Sequence, residues 1–117
     1  MKTILIVEDS ELNIDLLSQI LEENYRLIVA RDGLQGVSLA AEAKPDLVLM
    51  DISMPIMDGY EATRIIRASY NDLPIIGLSA NAMQGDYEKA IAAGCSDYLT
   101  KPVNESVLLK KLHKFLG

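Results

Sequence analysis

Four short apolar runs in this sequence end in residues whose side chains could take part in chemistry. Glu8 and Asp9 follow the first run, Asp51 follows the third, Ser79 ends the fourth and Lys101 follows the fifth. In an open parallel α/β sheet, ligands bind beyond the carboxyl ends of the strands. Each residue alone has an ordinary explanation, such as a helix cap for Asp9. Their shared placement at strand ends indicates a site.

Three carboxylates in one place need positive charge, because close like charges force one acid to stay protonated. Lys101 supplies one charge, and a divalent cation with oxygen ligands would supply the rest. Mg²⁺ suits a site that offers one or two carboxylates, waters and a phosphate, with Mn²⁺ as a possible substitute. A carboxylate beside these cations is a nucleophile toward phosphorus. A phosphoryl group on Asp51 would need hydrogen-bond donors, for which Ser79 and Lys101 are the candidates.

The elements that must position these residues alternate between strands and helices. Apolar, β-branched runs predict strands at residues 3–7, 25–30, 46–50, 74–78 and 97–100. Apolar residues at helical spacing predict helices at 10–23, 34–43, about 59–69, a fourth that ends at Gly94, and about 104–116. The first helix carries an apolar stripe that includes Leu12 and Leu16, and we expect Ile65 to face inward on the third. Strands without hydrophobic–polar alternation are typical of parallel sheets, so we predict a (βα)₅ three-layer sandwich.

Composition narrows the function classes. The chain has 117 residues, which predicts one domain over residues 1–117, and its formal net charge of -6 argues against direct nucleic-acid binding. The single Cys95 excludes a disulfide framework, and together with the single His113 it leaves no zinc constellation. No apolar run is long enough to cross a membrane. We therefore expect a cytoplasmic α/β domain with no membrane contact.

Four motifs resemble one known family. They are IVED at residues 6–9, LMDISMPIMDG at 49–59, LSA at 78–80 and DYLTKP at 97–102. With them, the whole chain resembles the receiver domain of response regulators, of the chemotaxis-regulator type. The resemblance implies a flavodoxin-like fold with a five-stranded parallel sheet of order 2-1-3-4-5.

The resemblance also implies an assignment of roles around the acids. Asp51 would receive a phosphoryl group from a phosphohistidine and become an aspartyl phosphate. Asp9 and Asp51 would bind Mg²⁺ together with the backbone carbonyl of Ser53, and Glu8 would act through water. Lys101 would pair with Asp51 and then with the phosphoryl group. Glu8 stands where aspartate is commoner in the family, and its longer arm favours the water-mediated contact.

The resemblance further implies positions that control the response to phosphorylation. Ser79 and Tyr98 would be the switch pair, in which the hydroxyl moves toward the phosphate and the ring turns inward. Ser53 and Asn81 flank the line of attack on the acyl phosphate and would tune its lifetime. The Lys101–Pro102 peptide bond would be cis.

The predicted function is a phosphorelay switch of a two-component system, phosphorylated by a sensor histidine kinase or a histidine phosphotransfer protein. The resemblance implies that its output face is the fourth helix, fifth strand and fifth helix, where Lys110, Lys111 and Lys114 form a basic face that could steer an acidic partner. The chain would catalyse only its own phosphotransfer and autodephosphorylation. A stand-alone regulator and a receiver cut from a hybrid kinase both stay open, with the Met start favouring the first.

Two other functions fit the same residues less well. A haloacid-type aspartyl phosphatase would need a general acid two residues after the nucleophile, where this sequence has Ser53. A phosphorylation-independent scaffold would not need the intact set of Glu8, Asp9, Asp51 and Lys101.

Overall fold

In the residues that the structure describes, five strands alternate with five helices. The structure is a computed structural model and describes residues 1–52, 54, 57–80 and 86–117. The strands are β1 (Thr3–Val7), β2 (Arg26–Ala30), β3 (Leu47–Asp51), β4 (Ile75–Ser79) and β5 (Asp97–Thr100). The helices are α1 (Glu11–Leu21), α2 (Gly33–Ala43), α3 (Gly59–Ser69), α4 (Asp86–Ala93) and α5 (Glu105–Leu116). Every predicted element is present, with ends that shift by a few residues.

All five strands form one parallel sheet in the order β2-β1-β3-β4-β5. This confirms the predicted order. The register pairs Val7 with Met50 on β1 and β3, and Ser79 with Thr100 on β4 and β5. Residues at the carboxyl ends of neighbouring strands therefore lie side by side at one end of the sheet.

The core consists of two apolar layers, one on each face of the sheet. Leu5 and Met50 point to the face covered by α2, α3 and α4, where they meet residues such as Ile66. Ile6 and Leu49 point to the opposite face, which α1 and α5 cover. Side chains alternate between the faces of a strand, so the central strands are apolar at nearly every position. The three-layer sandwich predicted from the sequence is confirmed.

The expected burial of Ile65 is wrong, because this side chain is 40 % exposed. The buried side of α3 consists of Gly59, Ala62, Thr63 and Ile66, which recur at three- and four-residue spacing. Ile65 lies one residue, and so about 100° around the helix, from Ile66. The apolar stripe on α1 is also only partly buried: Leu12 is 69 % exposed and Leu16 is 47 % exposed, whereas Leu17 and Leu21 are buried.

Arg67 ties several elements together at the end of the sheet opposite the candidate site. Its guanidinium donates to the carbonyl of Gly94 at 2.9 Å, to those of Tyr70 and Asn71 at 2.9 and 2.8 Å, and to Ser96 Oγ at 3.3 Å. These partners lie after α3, after α4 and just before β5. One side chain thereby fixes the C-terminal end of α4 to its neighbours.

Gly59 allows the start of α3 to pack directly on the end of β3. A Cβ atom at this position would lie 2.3 Å from the carbonyl oxygen of Asp51 and 2.4 Å from Cα of Ile52. Both contacts are with backbone, which cannot rotate away as a side chain can. The absence of a side chain at residue 59 therefore fixes how closely α3 approaches Asp51.

We predict that Gly59→Ala lowers the free energy of unfolding by about 1–3 kcal/mol, as overpacking of a core does, although alanine is the better helix former. Urea unfolding followed by circular dichroism measures this change. Ser106→Ala, at an exposed position of α5, is the control and should stay within about 0.5 kcal/mol of the unsubstituted protein. Equal stability of the Gly59 variant would contradict the close packing.

Candidate functional site

Three carboxylates meet where the carboxyl ends of the strands lie. Glu8, Asp9 and Asp51 each place one carboxylate oxygen within 4.8 Å of those of the other two. β1 and β3 are neighbours in the sheet, which brings the residues that follow Val7 beside the last residue of β3. Glu8 is wholly buried and Asp51 is 2 % exposed, whereas Asp9 is exposed. The cluster therefore has two inner acids and one that faces solvent.

Asp9 does not cap the first helix, because Ser10 occupies that position. The Ser10 side chain accepts a hydrogen bond from the backbone N–H of Asn13 at 3.4 Å, and its backbone is extended as an N-cap requires. The ordinary structural explanation for Asp9 is thus removed, and its carboxylate remains with the cluster.

Lys101 provides the positive charge in the pocket. Its ammonium lies 2.7 Å from Glu8 Oε1 and 3.4 Å from Asp51 Oδ2. The backbone N–H of Lys101 donates to the carbonyl of Ser79 at 2.7 Å, and the Lys101–Pro102 bond is cis, as the resemblance implies. The expected approach of lysine to Asp51 is present. The shorter contact to Glu8 was not anticipated.

The electrostatics of the pair follow from burial and from close charges. Burial raises the pKa of Glu8, but the nearby Lys101 ammonium and the hydrogen bond that Glu8 accepts from the backbone N–H of Ser10 outweigh it, so the pKa lies below its usual 4.5. Burial lowers the pKa of Lys101, but the contacts with Glu8 and Asp51 outweigh it, so the pKa lies above 10.5. Both groups are therefore charged at neutral pH.

The donor set fits a hard divalent cation. All three acids offer oxygen, the ligand that Mg²⁺ prefers, and their oxygens converge as described above. Glu8 Oε1 is buried and accepts no aligned hydrogen bond, so the ammonium balances it by charge alone. Asp9 and Asp51 could bind Mg²⁺ directly in this arrangement. The expected ligand carbonyl belongs to Ser53, which lies outside the described residues.

The two switch candidates lie on the face of the sheet that α3 and α4 cover. Ser79 is 2 % exposed at the end of β4. Tyr98 on β5 is half-buried against the same core layer, and its ring meets the ring of Tyr87 on α4 edge to face. The contact with Tyr87 was not predicted from the sequence. Asn81, the other position expected to tune phosphate lifetime, lies outside the described residues.

A small apolar groove opens beside the charged pocket. It has a volume of about 110 Å³ and runs between α1 and the turn after β5. Its lining comprises Glu8, Asn13, Leu16, Leu17, Ile20, Leu78, Lys101, Pro102 and Val103. The exposed side chains of Leu12 and Leu16 on α1 extend the apolar surface next to this groove.

The remaining conspicuous residues lie away from the acids. His113 is exposed on α5, and Cys95 is buried, with burial raising the pKa of its thiol. On the basic face of α5, Lys111 is engaged by Asp97 at 2.8 Å, whereas Lys110 and Lys114 are exposed. No helix among the described residues combines the length and apolar character needed to cross a bilayer.

Comparison with known proteins gives a consistent result. A family model described as response regulator receiver domain matches residues 4–113. The polar-differentiation response regulator DivK of Brucella anthropi is 37 % identical over 119 aligned residues, which cover 99 % of this chain and 97 % of DivK.

Two solved structures share the fold at appreciable identity. The receiver domain of the sensor histidine kinase PA1611 from Pseudomonas aeruginosa, with a magnesium ion in its active-site cleft, matches with a TM-score of 0.90 and 41 % identity, covering 97 % of this chain and 96 % of that one. The Saccharomyces cerevisiae complex of the phosphotransfer protein Ypd1 with the receiver domain of Ssk1 matches with a TM-score of 0.91 and 32 % identity, covering 97 % and 88 %.

We predict that Lys101→Met lowers the free energy of unfolding by about 1–3 kcal/mol at pH 7, because it leaves Glu8 buried without its counter-charge. The double variant with Glu8→Gln should recover part of the loss. The contribution of Glu8 is lost as pH falls below 4.5 through its lowered pKa, and that of Lys101 is lost as pH rises above 10.5 through its raised pKa.

Urea unfolding of the four proteins in this cycle at several pH values measures the coupling. The coupling should be largest between pH 4.5 and 10.5, the usual pKa values of the two groups. A coupling energy near zero at pH 7 would contradict the ion pair.

Proposed function

The chain belongs to the response regulator receiver domain family, whose members are phosphoacceptor switches of two-component and phosphorelay signalling, and we propose that Asp51 is its phosphoacceptor. One observation carries this proposal. Asp51 ends β3 beside two further carboxylates, with the Lys101 ammonium 3.4 Å from Oδ2. Glu8 shares the cluster and lies closer to the ammonium, but it follows β1, whereas Asp51 is itself the last residue of β3.

The chemistry is transfer of a phosphoryl group from nitrogen to oxygen. A carboxylate oxygen of Asp51 attacks the phosphorus of a phosphohistidine, the new O–P bond forms, and the N–P bond breaks as the imidazole leaves. Asp9 and Asp51 would hold Mg²⁺, with Mn²⁺ as a substitute, together with the carbonyl of Ser53, and Glu8 would contact the ion through water. When bound, the ion neutralises charge on the transferred group.

The phosphoryl group on Asp51 would need hydrogen-bond donors, and the pocket already contains two candidates. Phosphorylation changes the charge of Asp51 from about -1 to about -2. The Lys101 ammonium is within reach of Asp51, and the Ser79 hydroxyl lies at the end of the adjacent strand. We assign both to the phosphoryl oxygens. Water would later cleave the acyl phosphate in an autodephosphorylation whose rate depends on Ser53 and Asn81.

The phosphorylated state would be read at the face formed by α4, β5 and α5. Movement of Ser79 toward the phosphate would let the ring of Tyr98 turn inward, which changes the surface beside it. Tyr87, Ile91 and Val107 expose apolar area on α4 and α5, at 54 %, 38 % and 42 %. Exposed aromatic and aliphatic side chains of this kind form the centre of protein interfaces. The target is a protein, and neither nucleic acid nor membrane is required.

The phosphodonor would dock on α1 and the neighbouring groove. A donor protein must bring its histidine to Asp51, and the apolar surface of Leu12 and Leu16 lies beside that pocket. A helix with an apolar stripe fits such a surface. The Ypd1–Ssk1 complex shows that a receiver domain of this fold binds a histidine phosphotransfer protein. We also propose that the chain acts in the cytoplasm.

Incubation with acetyl phosphate and Mg²⁺ should produce a phosphorylated protein by intact-mass spectrometry, and Asp51→Asn should abolish it, because an amide cannot form the acyl phosphate. Chelation of the metal should suppress labelling. Asp58→Asn is the matched control, since Asp58 caps α3 from an exposed position and asparagine caps equally well. Label that persists in the Asp51 variant would overturn the assignment.

Replacing Leu12 and Leu16 by alanine should slow transfer from a histidine phosphotransfer protein about tenfold or more, as loss of a central interface contact does. Labelling by acetyl phosphate should stay unchanged, because this small donor needs no docking surface. Stopped reactions resolved on phosphate-affinity gels measure both rates. Leu34→Ala removes a leucine that is 58 % exposed on α2 and serves as control. Equal loss with both donors would place the defect in the pocket instead of the docking surface.

A further inference from the structure

The ring of Tyr98 has an aromatic partner on α4. The ring centroids of Tyr87 and Tyr98 are 6.1 Å apart and the ring planes are at 89°. This is the edge-to-face arrangement that aromatic pairs prefer. Tyr87 is 54 % exposed, so its ring does little for the core, and its contact with Tyr98 joins α4 to β5.

The sheet register shows how the contact between Tyr87 and Tyr98 would oppose a turn of the Tyr98 ring toward Ser79. Tyr98 is paired with Gly77 on β4, and Ser79 lies two residues further along the same strand and on the same face. No side chain extends from β4 at the position opposite the ring. An inward turn of Tyr98 toward Ser79 would have to break the edge-to-face contact with Tyr87.

We propose that Tyr87 is a positioning residue of the switch, which holds Tyr98 in its half-buried orientation and so favours the unphosphorylated conformation. This inference rests on the proposed function of Ser79 and Tyr98 as the switch pair. Aromatic pairs of this geometry shift an equilibrium by about 2- to 10-fold. A ligand that binds only the switched conformation therefore binds the protein with an apparent affinity that is lower by the same factor.

Tyr87→Leu tests the proposal, because it retains an apolar side chain and a good helix former while it removes the ring. The probe is beryllofluoride with Mg²⁺, which forms an acyl-phosphate mimic on an aspartate. Protein labelled with 3-fluorotyrosine reports the environment of Tyr98 by ¹⁹F NMR, with the Tyr98 signal assigned from Tyr98→Phe. The variant should bind the probe about 2- to 10-fold more tightly. Without the probe, its Tyr98 signal should move toward the bound position.

Two further variants separate this effect from a general loss of packing. Tyr87→Phe keeps the ring and should restore the original affinity. Glu88→Ala changes the adjacent exposed residue of α4 and should leave the affinity unaltered. Thermal unfolding of each variant detects a loss of stability, which alone would not tighten probe binding.

The outcomes distinguish this inference from the proposed function. If Tyr87→Leu binds the probe with unchanged or weaker affinity while the unsubstituted protein responds to it, Tyr87 does not restrain the switch and only the inference is overturned. If the unsubstituted protein shows no response to the probe with Mg²⁺, the phosphoacceptor function itself is overturned.

Discussion

The ammonium of Lys101 lies 2.7 Å from Glu8 and 3.4 Å from Asp51 in a pocket that also holds Asp9. Glu8 is wholly buried, so its charge needs compensation in every state of the protein. Lys101 therefore cannot turn fully to a new anion at Asp51 unless another cation replaces it near Glu8. The excess of negative charge would therefore couple the proposed binding of a cation and the proposed phosphorylation of Asp51 to the position of the Lys101 ammonium.

The contact between Lys101 and Glu8 depends on the order of the strands in the sheet. β1 and β5 are three strand spacings apart, roughly 14 Å, and only long side chains can meet across that distance. Glutamate at residue 8 extends the reach by one methylene compared with aspartate. The backbone bond from Lys101 to the carbonyl of Ser79 fixes the start of the lysine arm. The length of the Glu8 side chain and the strand order of the sheet together allow the contact between Glu8 and Lys101.

The sequence predicted what depends on local pattern, and it missed what depends on the direction of individual side chains. Apolar runs placed all five strands, and the acids at their ends placed the pocket. The prediction for Ile65 was wrong because this residue lies one position, and so about 100° around the helix, from the buried Ile66. The contact of Lys101 with Glu8, the contact of Tyr98 with Tyr87 and the hydrogen bonds of Arg67 depend on the directions of individual side chains, so spacing carried no signal for them.

Hydrogen bonds hold the C-terminal end of α4, and this limits how the proposed change at the pocket could spread. At the C-terminal end, Arg67 donates to the carbonyl of Gly94, and the backbone N–H of Cys95 donates to Ala90. Toward its N-terminal end, α4 contacts β5 through the ring of Tyr87. In the proposed switch, a shift of Ser79 would act near Tyr98 and so on its contact with Tyr87. A helix held at its C-terminal end would respond by tilting, so in the proposed switch the exposed face around Tyr87 would change more than the end near Ala93.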